Sequence, residues 1–362
     1  MSSAVRAPLA APGAAFPASQ RAENISSAAR RAIADLTGAD PAGVVLGPNA
    51  AVLVSRLADV FGQQWKMGDE VVVSRLDEEA NIACWKRAAK RVGAVLHWGE
   101  IDIETCDLPA WQYETLLSER TKVVALTAGS GSVGTRPDVA TVAGFARKVG
   151  ALVVADASYA APYVPVGFGS LDADVIVLSG RAWGAPETGA LVFRDPKLLD
   201  RLPSAALDTG ARGPERLELG PHAYPQLAGL VASVDYLAML DDAATGARGD
   251  RVAEAMRSLG EYHAGLLEQL YSELALQPHI AVIGNAREHI PALAFTVTGH
   301  QAHEVTEHLI SRGICACADD GTGGVFGSLG VGEVGGAVRI GLAHYTNSVE
   351  ISRFTRALAE LS

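Results

Sequence analysis

Apolar residues recur along this chain in two rhythms, and the alternation between them sets out its organisation. From Val44 to Phe193, short runs rich in β-branched residues alternate with stretches of helical periodicity. The runs predict strands at Val44–Leu46, Glu70–Ser74, Ala94–Trp98, Lys122–Thr127, Ala151–Ala155, Asp174–Leu178 and Gly189–Phe193. The amphipathic stretches Asn49–Phe61, Glu79–Val92, Pro109–Ser118 and Pro137–Val149 predict helices between them. Leu152–Ala155 and Val175–Leu178 are apolar on successive residues, the mark of strands covered on both faces. The expected fold is therefore α/β, with a mainly parallel sheet covered by helices. No helix separates the last two strands, so one antiparallel member is expected.

After Phe193 the pattern changes. Asp195 and Pro196 read as the cap and first position of a short helix running to Leu202. A loop rich in Gly and Pro, Pro203–Pro214, precedes a helix at Ala223–Leu240, and the polar stretch Asp241–Asp250 reads as a hinge. Beyond it the pattern predicts a long helix (Arg251–Leu274), a strand (Ala292–Val297), a helix (Ala302–Arg312) and a strand (Ile314–Cys317). A Gly-rich loop, a strand (Ala337–Gly341) and a final helix (Ser348–Leu361) follow. This gives three segments: a loose N-terminal arm over 1–17, a large domain over 18–245, and a smaller C-terminal α/β domain over 246–362.

Composition narrows the function classes. A chain of 362 residues supports two domains with a sizeable core. Its net charge of −11 argues against a general nucleic-acid or anionic-membrane binder, since both need a basic face. Cys84, Cys106, Cys315 and Cys317 form no CxxC pair and no zinc-like group, which fits free thiols in a reducing cytoplasm. No apolar run reaches the ~18–20 residues of a membrane span.

In parallel sheets, ligands bind beyond the carboxyl ends of the strands. Three such ends carry candidate chemistry. The turn Leu46-Gly47-Pro48-Asn49-Ala50-Ala51 leads into a helix whose exposed N–H groups suit a phosphate, or Asn49 is simply a helix cap. It is not a GxGxxG dinucleotide turn. Asp156 follows a buried strand, where a carboxylate needs a partner: a protonated pyridine nitrogen, or backbone N–H groups in the turn. The loop Ser179–Gly189 is crowded with small residues that permit close backbone approach, and Arg181 in it suits an anion or stands as a surface charge.

Taken in order, these segments resemble class V aminotransferases, and most closely their cysteine-desulfurase-like branch. The resemblance rests on Val45–Ala51, Arg75–Asn81, Thr127–Thr135, Asp156–Val166, Asp172–Phe193 and Gly336–Tyr345. It implies a pyridoxal phosphate (PLP) transferase fold of the aspartate-aminotransferase type, built as a cytoplasmic homodimer acting on a small amino-acid ligand. Under it, Asp156 pairs with the pyridine nitrogen, and Ser179 with Ala50 and Ala51 contacts the phosphate. Arg339, in Val338-Arg339-Ile340-Gly341, grips the substrate carboxylate.

Departures from the pattern bear on the chemistry. Arg181-Ala182 stands where relatives carry His-Lys or Tyr-Lys, so Ala182 occupies the position of the lysine that forms the Schiff base. Glu78 takes the place of the ring-stacking histidine, Gly131 that of a cofactor-contacting asparagine, and Ala51 that of a phosphate-binding hydroxyl. The Gly-rich loop Ala318–Val325 has no cysteine where desulfurases keep a sulfur acceptor. Lys66, Lys86, Lys90, Lys122, Lys148 and Lys197 all fall on polar helix faces, in turns or at a strand start. The expectation is a pseudoenzyme or ligand-binding scaffold. The alternative is an enzyme using noncovalent PLP or pyridoxamine phosphate, with Arg181, Tyr159 or His344 moving protons. A pairing of Glu78 with Arg181 across the cavity is also expected.

Overall fold

The computed structural model describes residues 1–362. Seven strands form the central sheet: β1 (Val44–Gly47), β2 (Glu70–Ser74), β3 (Val95–Gly99), β4 (Thr121–Thr127), β5 (Leu152–Asp156), β6 (Val175–Ser179) and β7 (Gly189–Phe193), in the order β1-β7-β6-β5-β4-β2-β3. The contiguous set from β3 to β6 is parallel, while β7 runs antiparallel to both β6 and β1. The run without an intervening helix is thus the antiparallel member. Strands β5 and β6, apolar on both faces, lie inside the sheet; β3, with exposed Val95, takes an edge.

Side chains of one strand alternate between two cores, as a period of two requires. Ile176 and Leu178 face one core, Val175 and Val177 the other. Helices Ala50–Gly62 and Glu79–Val92 cover the second face with Leu53, Leu57, Ile82 and Trp85. Helices Pro17–Thr37, Val139–Val149 and Tyr224–Leu237 cover the first. Because β1 to β6 share a direction apart from β7, Gly47, Ser74, Thr127, Asp156 and Ser179 emerge along a single edge of the sheet.

A second sheet is formed by β8 (Ile280–Ile283), β9 (Ala292–Val297), β10 (Cys317–Asp319) and β11 (Ala337–Gly341), in the order β10-β11-β9-β8. Every pairing in it is antiparallel. The C-terminal part therefore mixes helices with an antiparallel sheet and is not a second parallel α/β layer. Helix Arg248–Leu274 joins the two bodies, with Val252 and Met256 in the first core and Leu266, Leu270 and Leu274 in the core of the second sheet.

Several expectations need correction. The N-terminal arm is ordered: Ser2–Arg6 is helical, Ser19 Oγ donates to Ala11 O at 2.6 Å, and Arg21 donates to Pro8 O at 2.6 Å. Helix Pro17–Thr37 was not legible, because its buried positions are mostly small alanines and the helix is polar on average. Strand β8 was missed as well. The Ile314–Cys317 strand is displaced to Cys317–Asp319, because pairing with β11 begins only at Cys317 opposite Arg339. Pro109–Ser118 is a 3-10 turn, Ala110–Gln112, followed by one helical turn, Tyr113–Leu116.

One buried carboxylate ties the start of the sheet to its surroundings. Glu218 accepts two bonds from Arg30, at 2.8 and 2.9 Å, one from the Leu46 N–H at 2.8 Å, and lies 3.0 Å from His222 Nε2. Burial pushes its pKa up, but the hydrogen bonds of His222 and Arg30 and the positive charge of Arg30 outweigh that and hold it at about 2. A free glutamate titrates near ~4.3. Since the folded value is the lower one, the stabilisation is complete above about pH 5 and is lost as pH falls toward 2. Glu218→Gln is expected to cost roughly 3 kcal/mol at pH 7, the scale for breaking one side of a buried ion pair. Urea midpoints at pH 7 and pH 3 check this: the variant should lose the acid-side decline, and an unchanged midpoint at pH 7 would contradict the assignment.

Candidate functional site

At the carboxyl edge of the sheet, the strand ends enclose a cavity of about 420 Å³. Its walls include Asn49, Ala50, Ala51, Glu78, Asn81, Asp156, Ser158, Tyr159, Ser179, Arg181, Ala182 and Glu187. Of the residues singled out from the sequence, Ala50, Ala51, Glu78, Asp156, Ser179, Arg181 and Ala182 come together here; Arg339 is not among the wall residues.

Each wall follows from local chemistry. At the first end, Asn49 Oδ1 accepts the Val52 N–H at 2.8 Å and caps helix Ala50–Gly62. The cap reading is thus seen directly, and the amides of Ala50 and Ala51 in the first turn are left without intrahelical partners. Gly189 on β7 permits the approach: a Cβ there would lie 2.3 Å from the Asn49 carbonyl carbon.

Behind the second wall, next to the lining residue Glu78, lies a residue that sequence reading passed over. Asp77 is 1% exposed, accepts from Ser74 Oγ, and accepts from Asn81 Nδ2 at 2.7 Å. Burial raises its pKa to about 7 against those bonds, and the neighbouring Asp156 charge adds to the rise. A buried Ser-x-x-Asp-x-x-x-Asn spacing was the available signal. Glu78, next along, starts helix Glu79–Val92 without a side-chain cap bond; its carboxylate accepts one hydrogen bond, from Ser132 Oγ at 3.4 Å.

Asp156 forms the floor at the end of β5. Its Oδ1 accepts the Ser158 N–H at 2.9 Å, and no cationic side chain bridges to it. Burial raises its pKa, the Ser158 hydroxyl and N–H oppose this, and the charge of Glu78 raises it further.

Beyond β6, the turn Gly180–Trp183 is anchored by Trp183 Nε1 donating to Ser233 Oγ at 3.0 Å. Ala182 stands half-buried in the wall. Arg181 does not pair with Glu78; its Nε lies 3.7 Å from Glu187 Oε2, and its side chain is largely exposed. The expected Glu78–Arg181 pair is therefore absent, replaced by a neighbour on the same loop.

Two further candidates lie outside the walls. Arg339, on β11, reaches to 4.0 Å from Asp319 Oδ2 and has a buried Nε without a partner. His344 Nε2 is 2.6 Å from the Tyr236 hydroxyl, a link between the C-terminal segment and helix Tyr224–Leu237. Tyr159 does line the cavity; burial raises its pKa, and the charge of Glu78 adds to this.

None of the wall residues is a lysine. Lys66, Lys86, Lys90, Lys148 and Lys197 are exposed, and Lys122 lies 3.5 Å from Asp69 at the opposite end of β4. Gly131 is explained by its neighbour: a Cβ there would meet the Tyr159 ring at 2.6 Å. The glycine and the tyrosine are a steric pair, so Gly131→Asn is expected to destabilise the fold by about 1–3 kcal/mol. Tyr159→Ala made together with it should recover most of that loss in thermal melts; additive losses in the double variant would refute the pairing.

The geometry agrees with what comparison finds. Residues 11–354 match the family model described as Aminotransferase class-V. An uncharacterized protein of Mycobacterium tuberculosis is 45% identical over 347 residues, spanning 96% of this chain and 87% of that protein. A probable cysteine desulfurase of Mycolicibacterium paratuberculosis is 26% identical, over 96% of this chain but only 50% of its own length. Among solved structures, the apo cysteine desulfurase of Thermococcus onnurineus superposes with a TM-score of 0.85 at 23% identity, covering 96% of this chain and 86% of that one. By its matched span, its sheet order and the placement of its cavity, this chain belongs to the class V aminotransferase family and has the fold of the PLP-dependent cysteine desulfurases.

Proposed function

We infer that this chain is a ligand-binding member of its family that does not carry out lysine-dependent PLP catalysis. One observation carries the reading: Ala182 occupies the cavity wall at the position expected for the lysine, and no other lysine lines the cavity. A methyl group cannot act as a nucleophile or move a proton.

The remaining residues suit a noncovalent guest of the cofactor's class. Asp156 is a half-buried carboxylate without a cation, so a ring N–H would satisfy it. The Ala50 and Ala51 amides, at the positive end of a 13-residue helix, together with Ser179, would hold the phosphate. PLP, when bound, supplies an electron sink; this chain supplies binding and orientation. The second reading, an atypical enzyme acting on an amino acid or sulfur compound, is favoured only by the Tyr159 hydroxyl at the cavity wall.

A homodimer belongs to this proposal, as does a cytoplasmic setting. Supporting the former, Tyr236, Tyr262 and Tyr345 are exposed around His344 and the Thr346 carbonyl, an aromatic patch suited to an interface. No helix is long and apolar enough to cross a membrane.

Two measurements test the proposal. Protein treated with PLP and then borohydride should show no stoichiometric mass adduct within the cavity, whereas Ala182→Lys combined with Glu78→His should acquire one at residue 182. A lysine adduct in the unaltered chain, with turnover of any amino acid, would overturn it. Sedimentation equilibrium should give twice the 37.6 kDa chain mass; a monomer at micromolar concentration would remove the dimer.

A further inference from the structure

A second cavity, of about 700 Å³, shares no wall residue with the one at the carboxyl edge of the sheet. It is bounded by helix Arg248–Leu274, by Tyr163 and Val164 in the turn after β5, and by the segment from Asn285 to Pro291 that enters β9. Its frame is tied across both bodies of the chain. The Ile290 N–H donates to the Gly134 carbonyl at 2.8 Å, and the Arg136 N–H to the Glu288 carbonyl at 2.9 Å. His263, 1% exposed, stands in this wall with its Nε2 3.2 Å from the Ala343 carbonyl. A carbonyl only accepts, so Nε2 carries the ring proton and Nδ1 holds a lone pair. That buried Nδ1 has no partner within the chain. Burial lowers the pKa of the imidazole and keeps the ring neutral, so the lone pair persists at neutral pH. His289, on the segment before β9, also has a buried Nδ1 without a partner.

The rest of the lining suits a flat ring. Tyr163 meets His263 edge-on, with centroids 5.5 Å apart at 78°, and Tyr271 lies tilted beside His289 at 5.8 Å. Burial raises the pKa of both tyrosines, so their hydroxyls stay neutral. Val164, Leu267 and Pro291 add apolar surface. The ionised side chains of the lining, Glu268, Arg287 and Glu288, are all exposed, and Glu288 lies 3.6 Å from Arg136. The interior is therefore uncharged and aromatic, with an acceptor that lacks its donor. We propose that this second cavity is a binding site for a neutral, flat aromatic molecule that donates a hydrogen bond from a ring N–H or hydroxyl to His263 Nδ1. The site is separate from the cofactor-class reading above and does not rest on it.

Isothermal titration calorimetry on the full chain tests this with indole and benzofuran, rings of matching size of which only indole carries an N–H. Indole should bind roughly fivefold more tightly than benzofuran, the ratio expected of one net hydrogen bond. His263→Phe keeps a ring in the wall and removes the acceptor. It should bring the two affinities to within about twofold by weakening indole alone. Ala264 is an exposed position of the helix that lines the cavity, so Ala264→Trp should fill the space and abolish binding of both probes. Absence of indole binding, equal affinities for the two rings in the unaltered chain, or a preference that survives His263→Phe overturns the inference. Indole binding retained by Ala264→Trp places the probe elsewhere and overturns it too. Should His263→Phe fail to fold, the ratio in the unaltered chain and the Ala264→Trp result decide the matter.

Discussion

The buried carboxylate of Glu218 is the constraint on which the cavity depends. It is held by Arg30 from helix Pro17–Thr37, by the Leu46 amide on β1 and by His222 from its own loop. These bonds fix where β1 ends, and the next residues turn at once into the Asn49-capped helix. Arg56 from that same helix donates to the Leu217 carbonyl, beside Glu218. The amide end of the cavity is thus positioned by an ion pair well away from its interior. Gly189 then lets the antiparallel strand β7 pass against the turn without collision.

The opposite end of the cavity has a different physical character. Asp77, Glu78 and Asp156 bring three carboxyl groups to neighbouring strand ends, and the pKa values of Asp77 and Asp156 are raised, first by burial and then by neighbouring negative charge. Asp77 is compensated by Ser74 and Asn81, which makes it a part of the framework. Asp156 and Glu78 are not compensated to that degree. Ala182 brings no charge to this wall, and Arg181 beside it faces Glu187. The Gly131–Tyr159 contact is the steric counterpart: the bare glycine leaves the room that the tyrosine ring occupies.

Much of this was written into the local sequence. Strands covered on both faces show continuous apolar runs, and helices Ala50–Gly62 and Glu79–Val92 have clear apolar stripes, so their existence follows from burial periodicity alone. Asp156 was recognisable because a carboxylate directly after such a run must be answered by something. Helix Pro17–Thr37 was hidden because its buried face is made mostly of small alanines in an otherwise polar helix, and β8 because a half-exposed edge strand carries little pattern. Asp77 looked like an ordinary turn residue until the strands brought Asp156 beside it.

By itself, the sequence determined the parallel α/β layer, the edge along which polar residues would gather, and the absence of an amine at position 182. Those are properties of neighbouring residues along the chain, set by periodicity and side-chain chemistry. Only the tertiary structure decided that Arg181 faces Glu187, that His344 is engaged with Tyr236, that Arg339 stands off the walls, and that Glu78 meets Ser132 and no cation. Partners separated widely in the chain, or competing within one loop, are chosen by distance and burial, and neither quantity exists until the strands are ordered in space.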